Sequence, residues 1–363
     1  MNKGAISDRE GISLIVLFLI GSSSVFVMGL EAKKDLWLAD IIAMLMALAM
    51  AYIYARLHYL FPKKDLYDIL ELCFGKLIGR AIQLILIFFF YYWTADVMVN
   101  YGSFINAVSL DETPKIIPMM VLAVLCAWGI SNGIKVMGRW SELFLIMPCF
   151  ILLILTLSLI PKMNYRNLLP IMGEGIKPVL AGAFDAFSFP FGQIFAFSIV
   201  FTNFKSRKSP YKVYFSGLIF AGIILLITAL IGILVLGAED AGSTHYPTYA
   251  TASRVEIGDL FQRIEVLVAI SFVLGGFIKV GILLQCTCVG ISKAFDFNDY
   301  KFLIIPIMLL VINLSYFQYD SIIHYNRFQA DTWLYFTFPF QVILPIIIWI
   351  AAEIRKKRIV EVK

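Results

Sequence analysis

Apolar residues in this chain come in blocks of about 20, the length an α-helix needs to cross a hydrocarbon core of ~30 Å. Read as helices, the blocks give spans near 12–30, 36–57, 80–105, 116–134, 140–160, 179–204, 211–236, 260–292, 302–317 and 334–352. A β-barrel would show segments of ~10 residues with alternating polarity, and that pattern is absent. The longest polar interval, 237–259, reads as a loop, and no separate soluble domain fits between the spans. The expectation is an all-α integral membrane protein with about ten transmembrane helices in one domain, 1–363.

Two segments need separate treatment. Block 12–30 is too long for the apolar core of a secretory signal and lacks a small-x-small cleavage site, so it reads as a permanent first helix. Segment 62–78 is too polar to span. Leu66, Ile69, Leu70, Cys73, Phe74 and Leu77 recur at helical spacing there, which predicts a helix lying along the inner membrane surface with Pro62 at its start.

Composition agrees with the pattern. The chain is 60% hydrophobic and 15% charged, where soluble domains carry roughly 25% charged residues. With the N-terminus inside, the inner segments hold twenty Lys and Arg and the outer ones nine, leaving Lys279 within a span. The positive-inside rule therefore puts both termini in the cytoplasm. The basic run 355–358 then meets anionic lipid headgroups.

Catalytic chemistry finds little support. None of His58, His245 and His324 has an Asp five residues on, no metal-ligand pair shares a helix, and no Gly-rich Lys-Ser/Thr phosphate loop occurs. Cys286 and Cys288 point to different faces of one helix, and all five cysteines read as small packing residues rather than disulfides or ligands. No cofactor, no metal and no enzyme activity are expected.

Ten spans suggest two halves of five, about 10–161 and 178–353, and two interrupted helices support the division. Gly21-Ser22-Ser23-Ser24 breaks the aliphatic run of span 1, and Ser188-Phe189-Pro190-Phe191-Gly192 breaks span 6, where Pro190 removes a backbone donor. Each interruption begins nine residues into its span, ~13 Å deep, approached from opposite faces. Matching breaks in inverted halves predict a LeuT-like 5+5 inverted repeat with broken helices 1 and 6. Unwound backbone at that depth must line a cavity or meet a ligand. A half-helix starting near Val25 would offer free N–H groups to a carboxylate, and carbonyl ends near Ile20 and Phe187 would suit an ammonium group or cation. Against this stands the reading that the Gly/Ser stretch only allows close helix packing and Pro190 only kinks its helix.

Ionisable residues inside spans are the other pointer. Asp185 precedes the span 6 break, Asp96 lies with Thr94, Asn100 and Tyr101 on span 3, and Lys279 follows Gly275-Gly276 on span 8. Such groups face a protein interior or water. Asp96 and Asp185 read either as site or proton-coupling acids or as interhelical hydrogen-bonding acids. Lys279 reads either as a snorkelling side chain ~10 Å from a surface or as an internal cation replacing a bound Na⁺ or pairing with a carboxylate. Arg263 and Glu265 read as structural. Phe187, Phe189 and Phe191 either shape a side-chain pocket or pack among other apolar groups.

Several short pieces, in order and over nearly the whole length, carry a family resemblance. They are Ile6-Ser7-Asp8-Arg9-Glu10, Phe61-Pro62…Gly75-Lys76…Gly79, Thr113-Pro114, Gly133…Arg139…Glu142, Asn167-Leu168-Leu169-Pro170-Ile171, Tyr246-Pro247, and Arg263-Ile264-Glu265 leading to Lys279. Together they resemble the spore germination permeases, the B subunits of GerA-type nutrient germinant receptors, within the amino acid–polyamine–organocation superfamily. The resemblance implies a subunit in the inner membrane of dormant spores, acting with A and C subunits to sense a small nutrient, often an amino acid. Gln193 stands where the resemblance implies an acidic residue, which removes one negative charge from this site. The expected function is nutrient binding between the breaks in spans 1 and 6, coupled to a germination signal. The alternatives are a proton-coupled amino acid transporter acting alone, or an ion conduit within the receptor.

Overall fold

The computed structural model describes residues 5–254 and 264–361, with side chains as far as 356; Arg263 and the first residues of the expected span 8 lie outside them. Helix α1 (Asp8–Ser23) opens on a capping box, with the Ser7 hydroxyl accepting from the Glu10 N–H at 3.1 Å and the Glu10 carboxylate from the Ser7 N–H at 2.7 Å. Residues 24–29 are irregular, a 3₁₀ segment Leu30–Asp35 follows, and α2 (Leu36–Leu60) returns. Helix α3 (Leu66–Val108) is 43 residues long and bends at Gly75, whose φ of 80° suits glycine best. Then come α4 (Ile116–Ser131), and α5 (Ile134–Phe144) with α6 (Ile146–Leu159) as one apolar rod.

Helix α7 (Ile176–Ser188) stops at Phe189-Pro190 and continues as a 3₁₀ segment Phe191–Ala196 and the short α8 (Phe197–Val200). Helix α9 (Ser209–Leu236) leads to two small helices, α10 (Ala238–Ser243) and α11 (Pro247–Ala252), and then α12 (Glu265–Ala294) and α13 (Ile304–Phe317) follow. The last rod joins α14 (Ile322–Phe328), α15 (Leu334–Phe338) and α16 (Leu344–Glu361) through two π-helical turns, Gln329–Trp333 and Pro339–Ile343.

Seven of these stretches are long and apolar enough to cross a membrane; the shorter apolar helices 116–131 and 301–317 and the 16-residue α1 complete ten. Leu77, Val124, Phe317 and Ile323 sit at the surface, as lipid-facing residues do. The interior is aromatic. Phe18 of α1 stands edge-on to Trp93 and Phe197, at centroid distances of 6.1 and 5.0 Å. Helix α1 packs between α9, α12 and α5, α2 lies along α9 and α7, and α3 along α12.

Several expectations need correcting. In span 1 the helix runs unbroken through Gly21, Ser22 and Ser23, and the Ser24 N–H still donates to the Ile20 carbonyl at 2.8 Å. The interruption lies at 24–29, and no second half-helix starts near Val25. Small residues here serve a crossing: a Cβ built on Gly21 would stand 2.6 Å from the Gly275 backbone, and the Ser23 hydroxyl bonds back to the Leu19 carbonyl. Segment 62–78 becomes helical only at Leu66, behind an Asp65 cap, and its first turns are buried in the protein through Leu66, Ile69 and Leu70 while Leu77 stays exposed. Lys293 holds it there, 2.6 Å from Asp65 and 2.5 Å from Asp68. The last span begins at Ile322, twelve residues before the expected 334, because polar Gln329, Asn326 and Asp331 hid its first turns. Loop 237–259 contains α10 and α11.

Candidate functional site

A cavity of about 430 Å³ lies where the two interrupted spans meet. Ser22 reaches it from the last turn of α1, Phe26, Val27 and Met28 from the irregular stretch, and Phe189 and Gln193 from the break after α7. Asp96 and Asn100 come from α3 and Asp185 from α7. Residues 242–245 close one side, and Tyr325, Asn326, Gln329 and Trp333 of the last rod close another.

Lys279 lies under this cavity. It is the fifteenth of 30 residues in α12, ~21 Å from either end, and is fully buried, so the snorkelling reading is corrected. Its ammonium donates to the Ser22 hydroxyl and to Gln193 Oε1, and stands 5.0 and 5.1 Å from the ring centroids of Phe18 and Phe189. No carboxylate pairs with it directly among these partners, although the charge of Asp96 reaches it. Because lysine can only donate, Gln193 must turn Oε1 toward it. That leaves the Gln193 Nε2 buried, without a partner and beside the cavity. A donor in that state calls for an acceptor.

The acids occupy other walls. Asp96 Oδ1 accepts from the Tyr319 hydroxyl at 2.7 Å and from Gln329 Nε2 at 2.8 Å, so Asp96 does make interhelical hydrogen bonds while also lining the cavity. Asp185 stands one turn beyond Gly182, whose carbonyl lies 3.2 Å from a Cβ built on Gly29 at the end of the first break. Gln329 sits in a π-helical turn, which turns residues of the rod inward that an α-helical repeat would space differently.

The remaining expected ligand contacts fall away from the cavity. Gly21 packs on Gly275, Ser23 bonds within its own helix, Ser24 lines a separate apolar hollow with Pro148 and Ile151, and Val25 is wholly buried in the core. Phe187 and Phe191 are core residues, and the Ser188 hydroxyl meets that of Thr337 at 2.9 Å. The freed carbonyls of the first break are satisfied from elsewhere: Val25 accepts from the Thr248 N–H and Phe26 from the Thr248 hydroxyl, both at 3.2 Å. Thr248, Gln329 and Trp333 were not singled out from the sequence. Asp40 was also missed, although an acid four residues into an apolar span was a visible signal.

A family model described as "Spore germination protein" matches residues 5–323. The chain belongs to this family. Among spore germination proteins, it is 27% identical to spore germination protein KB of Bacillus subtilis (strain 168), over 99% of this chain and 97% of that one. It is also 24% identical to spore germination protein YndE of the same organism, over 72% of each. Solved structures share the fold at low identity. Mhp1, a nucleobase-cation-symport-1 family transporter, superposes with a TM-score of 0.63 at 10% identity, covering 90% of this chain and 74% of that one. A manganese transporter of Eremococcus coleocola gives 0.62 at 13%, covering 96% and 84%. This spore germination protein is therefore a multi-pass membrane protein with a LeuT-like transporter fold, and its family and fold are those of permeases rather than enzymes.

Proposed function

We propose that this chain is the B subunit of a nutrient germinant receptor and binds a small zwitterionic nutrient, an amino acid, in the cavity between spans 1 and 6. It resides in the inner membrane of the dormant spore, in contact with lipid, with both termini cytoplasmic, and signals germination together with A and C subunits. One observation carries the reading: a single cavity presents carboxylates, Asp96 and Asp185, on some walls and an unsatisfied donor, Gln193 Nε2, on another, with the Lys279 ammonium bonded behind Gln193 and Ser22. An α-amino acid has the complementary pair of charges. Its ammonium faces Asp96 or Asp185, its carboxylate faces Ser22 and Gln193, and its side chain rests on Phe189, Trp93 and Trp333.

Uptake of labelled amino acid into proteoliposomes tests the assignment. The receptor reading expects saturable binding without concentrative uptake by the purified chain. Robust accumulation driven by a proton gradient would make it a transporter acting alone, and ligand-gated ion flux that needs the partner subunits would make it a conduit.

A further inference from the structure

A second cavity, of about 320 Å³, opens on the face of the bundle that carries the N-terminus and shares no residue with the first. Lys63 reaches it from the turn after α2, and Lys205 and Arg207 from the loop between α8 and α9. His58, 5% exposed, forms its inner wall, and among the described residues no acid lines it. Elsewhere on this face cations find carboxylates: Arg56 meets Glu353 at 2.5 Å, Lys293 meets Asp65 at 2.6 Å, and Lys212 takes the nearby Asp8 at 3.1 Å. Lys63, Lys205 and Arg207 make no ion pair among the described residues. Basic residues at a membrane boundary are ordinary and speak only to orientation. Three lining one hollow with no acid among them repel one another unless an anion neutralises them. Arg207 is also held in place, its guanidinium 4.6 Å from the Tyr59 ring centroid. Through Pro210 the cavity abuts the start of the 28-residue α9, the positive end of that helix.

We propose that this cavity binds a phosphate group, carried either by an anionic lipid headgroup or by a soluble phosphate. Arg207 offers a planar fork for bidentate contact, Lys63 and Lys205 offer point charges, and Thr202 and Asn203 add neutral donors. A tetrahedral oxyanion has acceptors enough for this many donors, whereas a carboxylate has two oxygens. The lining loop also grips the segment that leads into α1. The Ile6 N–H donates to the Asn203 carbonyl at 2.9 Å, and Ile6 bridges to Phe204. A phosphate bound here therefore steadies the loop to which the entrance of α1 is tied, at the opposite end of that helix from Ser22. The inference does not rest on the nutrient reading.

Thermal unfolding of the purified full-length chain in detergent tests it, at pH 7 and without nutrient. Sodium phosphate is compared with sodium chloride at constant ionic strength, and dioctanoyl phosphatidylglycerol with dioctanoyl phosphatidylcholine. The wild-type chain is expected to gain about 2–5 °C in a saturable way with phosphate or with phosphatidylglycerol. A gain with inorganic phosphate shows that a soluble anion suffices, and a gain with phosphatidylglycerol alone identifies the lipid headgroup as the source. Arg207→Gln abolishes the gain, as does Lys63→Gln combined with Lys205→Gln. Lys301→Gln, at an exposed cation outside the cavity, keeps it. If Arg207→Gln does not accumulate, the double variant is read in the same manner. Equal unfolding with both anions and their controls overturns the proposal, as does a gain undiminished in the cavity variants. A gain lost equally in Lys301→Gln marks a diffuse charge effect and also overturns it.

Discussion

Replacing Lys279 by methionine separates its contribution to the cavity from its contribution to the fold. Methionine keeps an unbranched stem between Phe18 and Phe189 and removes the ammonium that donates to Ser22 and Gln193. Two charge-assisted hydrogen bonds are lost, each worth about 1.5–3 kcal/mol. Against that, a buried ammonium with no salt-bridge partner carries a desolvation penalty of several kcal/mol, and apolar replacements of buried charges are often neutral. The net change in stability is therefore expected within about 2 kcal/mol, and the protein still accumulates in the membrane. The ligand experiences a different sum. Gln193 loses the partner that aims its Nε2 at the cavity, and a bound carboxylate loses the nearby positive charge, together about 2–4 kcal/mol. At ~1.4 kcal/mol per tenfold, the amino acid concentration for half-maximal germination rises roughly 30- to 1,000-fold. Dose–response curves on spores whose sole receptor carries Lys279→Met, with immunoblots for protein level, supply the measurement. An unchanged half-maximal concentration at normal protein level would refute the placement of the carboxylate beside Lys279.

Three further outcomes follow from the geometry. Ser22→Ala is expected to leave protein levels normal while weakening the response, whereas Gly21→Leu depletes the protein, because its side chain meets the Gly275 backbone rather than a ligand; membrane immunoblots beside germination assays distinguish the two. Thr248→Val removes the hydroxyl that serves the Phe26 carbonyl and costs about 1–3 kcal/mol, read as a lowered melting temperature, and no decrease would deny the plug between α11 and the first break. On the N-terminal face, the Arg80 guanidinium hydrogen-bonded to Asp296 holds that carboxyl below the usual carboxylate range. A depressed folded-state pKa stabilises at neutral pH and is lost as pH falls through it. Asp296→Asn should therefore lower the melting temperature slightly near pH 7, a difference that fades as pH falls below about 4, so that the acid limb is flatter in the variant.

Spacing made the architecture readable. Runs of about 20 apolar residues leave few alternatives to membrane helices, and Pro190, which cannot serve an α-helical ladder, located the second break within a residue. Serine was ambiguous. In lipid its hydroxyl can bond back to its own helix, as Ser23 does, so a Gly/Ser run signals either unwinding or close packing, and the Gly21–Gly275 contact decided for packing. Within the site, Ser22, Asp96, Asn100, Asp185 and Phe189 were legible because polar groups in spans must face something, and Lys279 for the same reason. Gln329 and Trp333 were not, since they reach the cavity from a helix whose π-helical turn changes the facing of residues in a manner no 3.6-residue period reveals, and Thr248, which serves the carbonyls of the first break, sits in a polar loop.

That π-helical turn has a mechanical consequence. Each such turn stores one residue beyond the α-helical repeat, so its conversion to regular α-helix would slip the stretch 322–328 against α15 by one position, a rotation of ~100°. Gln329 would swing off Asp96 and Trp333 out of the wall, without any helix unfolding or leaving the bundle. A small change in the winding of the final rod would thus withdraw one wall of the cavity, much as a crankshaft turns rotation into displacement.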